Sequence, residues 1–219
     1  MSDFIKTMKE KIFLIFVFIT SFTFSQVQKI FFVDDVKSIE YVTVKFCVNN
    51  SARIDKVTVI PEKTTYKNEY VIEQLSQYLK TIQYYPESTL RNNCYPSTFE
   101  FVNKKYENTQ LSELDSLKCE KFKIGKFKYL DVRYLDTKIK RKDKKQLEIS
   151  EDFNAEYAVI WTSPCEYEMT YSKVREKENK NLLGKTIKVK IIGILEESYI
   201  YLADFMNEPT VIGEIKKIK

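Results

Sequence analysis

Four cysteines, the carboxylate pairs Asp34-Asp35 and Glu196-Glu197, one tripeptide resembling a phosphate loop and one lysine-rich run are the features of this 219-residue chain whose types and spacing could do chemistry. Cys47, Cys94, Cys119 and Cys165 include no pair at the Cys-x-x-Cys spacing of a metal finger, so the chemistry they suggest is disulfide formation in an oxidising compartment. Four cysteines allow three connectivities. If the chain folds as two units, the simplest pairing joins Cys47 to Cys94 and Cys119 to Cys165, each bridge contributing ~4 kcal/mol at most by the loop-entropy argument. Asp34-Asp35 and Glu196-Glu197 could in principle serve as acid and base, but neighbours on a strand point to opposite faces and cannot converge unaided. Gly184-Lys185-Thr186 imitates the end of a phosphate-binding loop. The glycine that such a loop needs earlier would fall at Asn179, and a strand follows where a helix is required. Residues 138–145 (KIKRKDKK) could meet phosphates or anionic lipid. Thr137, Ile139 and Arg141 still alternate there and Asp143 interrupts the charge, so the run reads as a solvated hairpin tip. Histidine is absent altogether, which removes the His-dependent nucleophile systems and the commonest ligand of zinc, copper and non-haem iron. No catalytic set, metal site or cofactor is expected, and the chain reads as non-enzymatic.

Composition places these residues on an ordinary globular framework: 43% hydrophobic, 31% charged, with only 4 Gly and 5 Pro. Residues 12–24 (IFLIFVFITSFTF) form an apolar run behind Lys6, Lys9 and Lys11 and ahead of Ser25 and Gln26, the arrangement of a secretory signal peptide. The run is shorter than the roughly 20 residues that span a bilayer as a helix. Residues 1–25 are therefore expected to be a cleaved leader, with cleavage before Gln26 and with Met8 as an alternative start. No cysteine sits beside the cleavage zone, so a lipid anchor is not indicated, and no stable membrane anchor is expected after cleavage. The formal net charge of +5 falls to +4 without the leader, too little to argue for nucleic acid.

Residues 26–106 carry the signals of a small α+β unit. Val42, Val44, Phe46 and Val48 alternate with Thr43, Lys45 and Cys47, which predicts a half-buried strand over 41–48. A turn at 49–52 leads to a second strand over 54–60, ended by Pro61, and the short connection makes an antiparallel hairpin the natural pairing. Val71, Ile72, Leu75, Tyr78, Leu79 and Ile82 lie on one stripe of a helix that Pro86 closes. Thr98, Phe99, Glu100, Phe101 and Val102 alternate again as a third strand. The order strand, strand, helix, strand gives one apolar helix face for one apolar sheet face.

The segments VTVKFCVNNSARIDKVTVI, VIEQLSQYL, Gln83-Tyr84-Tyr85-Pro86 and STFEFV, spanning about residues 41–102, resemble the C-terminal domain of TonB, the energy-transducing protein of Gram-negative bacteria. The family's usual hairpin glycine is replaced by Ser51-Ala52, and its Tyr-Pro segment ahead of the first strand is absent. A membrane-spanning anchor and a long proline-rich linker are absent too, so the resemblance does not imply energy transduction. It implies a domain that grips a partner peptide by strand addition, with an outer-membrane receptor among the candidate partners. The edge available for pairing would be Thr98, Phe99, Glu100, Phe101 and Val102.

Residues 107–118 read as a polar linker with a short helical turn at Leu111, Leu114 and Leu117. From residue 119 to 219 the chain alternates throughout, for example at Tyr157, Val159 and Trp161 and at Tyr167, Met169 and Tyr171, which predicts seven or eight short strands in an antiparallel meander. A small barrel is the first expectation and a flat sandwich the second. Gly125 and Gly193 sit where bulges would let the sheet curl. The strings from Cys119 to Asp131, Trp161 to Val174 and Gly184 to Ile191 resemble small exported bacterial proteins of uncharacterised function, a resemblance that implies no activity.

Two functions follow as expectations. The first is an exported, non-enzymatic protein of the Gram-negative envelope, periplasmic or extracellular, that works through protein contacts made by the TonB-like module. The second is a carrier or sensor holding a small apolar ligand within the β-domain, since a chain with 15 Tyr and 15 Phe is rich in side chains that can line an apolar cavity and a barrel is the right container for one.

Overall fold

The computed structural model of the chain describes residues 27–108, 110–206 and 208–218. The expected leader and its cleavage zone lie outside the described residues.

The first unit is a mixed four-stranded sheet, built from β1 (Ile30–Val33), β2 (Ile39–Val48), β3 (Ile54–Val59) and β4 (Asn93–Asn103) in the order β1-β4-β2-β3. Helix α1 (Glu69–Lys80) begins where the Asn68 side chain accepts the Val71 amide, a cap that satisfies one of the first-turn donors. Its Leu75 and Leu79 cover Val42, Val44, Phe99 and Phe101 of the sheet. Tyr78, which shares the stripe by spacing, sits at its edge and is exposed. The sequence reading missed β1, which pairs in parallel with β4 from Ile30↔Glu100 to Val33↔Asn103. A four-residue strand offers too few alternations to announce itself. Cys47 and Cys94 stand directly opposite on β2 and β4 and are bridged.

Residues Ile39, Tyr41 and Val102 project from the other face of this sheet, away from the helix, and are also buried. They pack on the outer wall of the second unit.

That second unit is a closed barrel of eight antiparallel strands: β5 (Gly125–Tyr129), β6 (Lys138–Lys142), β7 (Lys145–Ile149), β8 (Asn154–Ser163), β9 (Glu166–Val174), β10 (Thr186–Ile194), β11 (Ser198–Phe205) and β12 (Val211–Ile218). Every strand pairs with the next in sequence and β12 closes on β5, so no open sheet edge remains. The alternation becomes an inside and an outside: Phe127, Ile139, Tyr157, Val159, Tyr167 and Tyr199 fill the interior.

Gly193 lies at a register shift between β10 and β11. The consecutive residues Ile191 and Ile192 are both buried, the first inside the barrel and the second against Tyr41 and Tyr106 outside it, on the opposite faces that neighbours in a strand present. A side chain at Gly193 would meet the Tyr106 ring at 2.4 Å, so close approach, rather than backbone freedom, requires glycine there. Gly125 differs from expectation. It opens β5 at φ 151° in regular register with Arg141, without a bulge. The change of parity before it arises because Phe122 belongs to a 3-10 turn, Cys119–Phe122, and Ile124 lies ahead of the strand.

Helix α2 (Glu113–Lys118), capped by Ser112, leads into that turn. Phe122 plugs one end of the barrel and the Cys119–Cys165 bridge holds the plug to the β8–β9 turn. The bridge therefore fastens a stopper. It does not tie two barrel strands together, because Cys119 precedes the first of them.

Candidate functional site

The β6–β7 hairpin pairs Arg141 with Gln146 and Ile139 with Glu148, and all four side chains face inward because alternate residues of a strand share a face. Arg141 is 1% exposed. Its Nε donates to Gln146 Oε1 at 2.6 Å, its Nη1 to the Phe122 carbonyl at 2.9 Å, and its Nη2 to the hydroxyls of Tyr167 and Tyr199 at 2.9 and 3.0 Å. The guanidinium also lies over the rings of Tyr167 and Phe127, 4.6 and 5.1 Å from their centroids. Gln146 passes the chain on: its Nε2 donates to Glu148 Oε1 at 2.6 Å. Tyr129 donates to the same oxygen at 2.9 Å, and Tyr157 donates to Oε2 at 3.3 Å.

Burial raises the Glu148 pKa above the ordinary carboxylate range, against the opposing pull of the Tyr129, Gln146 and Tyr157 donors. Burial likewise holds the phenols of Tyr129, Tyr167 and Tyr201 well above the usual tyrosine value, so they remain protonated.

Above this floor the barrel encloses a cavity of about 400 Å³. Gln146, Glu148 and Tyr157 form its polar part, while Met169, Val189 and Phe205 are among its apolar walls. Its mouth is marked by Tyr134 and Val211, which line the cavity yet are 47% and 45% exposed. Tyr134 sits on the β5–β6 loop, and that loop is pinned from outside. Arg133 donates to Glu100 of β4 at 2.6 Å and also pairs with Asp131.

The expected pairing edge is distributed differently. Phe99 and Phe101 are buried under α1, whereas Thr98, Glu100 and Val102 turn to the opposite face. β4 is an interior strand: β2 lies along one side of all five residues, and β1 occupies the other side at Glu100, Phe101 and Val102. The chain's own short strand thus takes the edge that a partner would have used there.

Of the lysine-rich run, Lys138, Lys140, Lys142, Lys144 and Lys145 are exposed, but Arg141 is not a solvated residue. The alternation with Ile139 carried that information, and its charge argued the other way. Gln146 and Glu148 went unnoticed for the same reason, since polar residues at inward positions look like the outer face of a strand.

Gly184 lies in the turn ahead of β10, and the Thr186 hydroxyl bonds that of Thr170, so no phosphate cradle forms. Asp35 accepts from Tyr66 and Asn68 as a structural anchor, and Glu196 and Glu197 are exposed in the β10–β11 turn. Among the described residues no group of three or more Cys, Asp or Glu side chains is placed to hold a metal, and no helix is long and apolar enough to cross a membrane. Comparison with known proteins finds no matching protein family, no matching curated protein and no matching solved structure.

Proposed function

We propose that this chain is an exported carrier or sensor whose barrel holds a small, mainly apolar ligand. The observation that carries the reading is the cavity of about 400 Å³ inside a barrel plugged at one end and reached past Tyr134 and Val211 at the other. Barrels of eight strands are wide enough either to be filled by their own side chains or to hold one small ligand, and this volume falls in the ordinary range for ligand sites. The neighbouring sheet has a supporting part in this reading, since its Glu100 holds Arg133 and with it the loop that carries Tyr134 to the mouth. Two disulfides are what an oxidising compartment outside the cytoplasm permits, in keeping with export.

Titration of the mature protein with the neutral apolar dye Nile red tests the proposal. Saturable one-to-one fluorescence enhancement is expected, and Ala203→Trp, which fills the cavity from β11, should abolish it. Absence of saturable binding, or binding unchanged in a folded Ala203→Trp protein, would overturn it.

A further inference from the structure

We infer that the ligand of the barrel is an organic cation, an amine on an apolar body, seated with its nitrogen at Glu148 among tyrosine rings. The inference rests on the barrel reading above and names the class of molecule it would take.

The walls decide against an anion. No lysine or arginine lines the cavity. Arg141 is the cation nearest to it in the network, yet it lies outside the lining. Four of its five N–H donors are already engaged, by Gln146, Phe122, Tyr167 and Tyr199. A carboxylate or phosphate entering past Tyr134 would find no free positive charge and would face Glu148.

The same walls favour a cation over a neutral donor. Glu148 has room for one more donor: an ionised carboxylate accepts about four hydrogen bonds, and only three reach it. Oε1 takes two of these at 2.6 and 2.9 Å, whereas Oε2 takes one, the longer contact from Tyr157 at 3.3 Å. Each tyrosine that bonds Glu148 is paired with a second tyrosine on the cavity wall. Tyr129 meets Tyr134 with ring centroids 5.6 Å apart, and Tyr157 meets Tyr171 at 4.6 Å. Two tyrosines therefore bond the buried carboxylate, and two more rings stand behind them on the same cavity wall. Ring faces attract a cation and give a neutral hydroxyl nothing comparable. A cation beside Glu148 would also offset the burial that pushes its pKa upward.

The test is displacement of Nile red, confirmed by calorimetry, with three molecules that share a phenyl body: phenethylamine, phenethyl alcohol and hydrocinnamate. The amine is expected to bind at least about tenfold tighter than the alcohol, with the acid weakest. Glu148→Gln should bring the amine to the level of the alcohol while Nile red still binds. Tyr171→Leu removes a ring without touching the carboxylate, and should weaken the amine but not the alcohol. Equal binding of amine and alcohol, tighter binding of the acid, no displacement by the amine, or an amine preference that survives Glu148→Gln would overturn the inference while leaving the barrel reading in place. Failure of Nile red itself to bind the wild-type protein removes the barrel reading, and this inference falls with it.

Discussion

Arg141 and Glu148 are buried in the same barrel without touching: Gln146 stands between them, accepting from the guanidinium and donating to the carboxylate, each at 2.6 Å. The spacing follows from register. Arg141 opposes Gln146 across the hairpin, and Gln146 and Glu148 are two apart on one strand, so a single inward face carries all three.

Removing the cation should expose how much depends on it. Arg141→Met leaves the Phe122 carbonyl and two tyrosine hydroxyls without their partner and Glu148 without its linked counter-charge. A loss of roughly 3–5 kcal/mol in urea denaturation is expected. Adding Glu148→Gln to that variant should recover part of the loss, because the uncompensated buried charge is then gone.

Stability should depend on pH through Glu148 in a definite direction. Its folded pKa lies above the unfolded value, so in the window between the two the folded state binds the proton more readily and stability falls as pH rises. Below the unfolded value the cost of ionisation is absent, and above the folded value it is complete. Relative to Glu148→Gln, the wild-type protein should therefore gain stability as pH is lowered through that window. Parallel pH profiles of the two proteins in thermal melts would count against the buried carboxylate.

The close approach at Gly193 predicts a coupled pair. Gly193→Ala should cost roughly 1–3 kcal/mol through overpacking against the Tyr106 ring. Combined with Tyr106→Ala it should cost clearly less than the two single changes together. Additive losses in chemical denaturation would mean that the ring moves aside freely.

The two disulfides should differ in what they protect. Cys119→Ala with Cys165→Ala releases the barrel plug and is expected to cost about 2–4 kcal/mol. It should also raise hydrogen exchange at the barrel's plugged end, around Phe122 and the β8–β9 turn. The corresponding change at Cys47 and Cys94 should leave that end protected, because β2 and β4 remain paired over ten residue positions. Exchange mass spectrometry on the two double variants separates these outcomes.

Local pattern alone determined a good deal of this protein. The alternation from Phe127 to Tyr201 marked strands, the stripe through Leu75 and Leu79 marked the helix, and four cysteines without metal spacing suggested bridges. These are properties of neighbouring residues, and the periods of 2 and 3.6 survive in any tertiary setting. Closure of β12 on β5, insertion of β1 beside β4 and burial of both faces of the sheet depend on residues far apart in sequence. So did the site. Arg141, Gln146 and Glu148 look solvent-facing when polarity decides the face, and become an interior network only when a closed barrel gives each of them a partner that offsets the cost of burial.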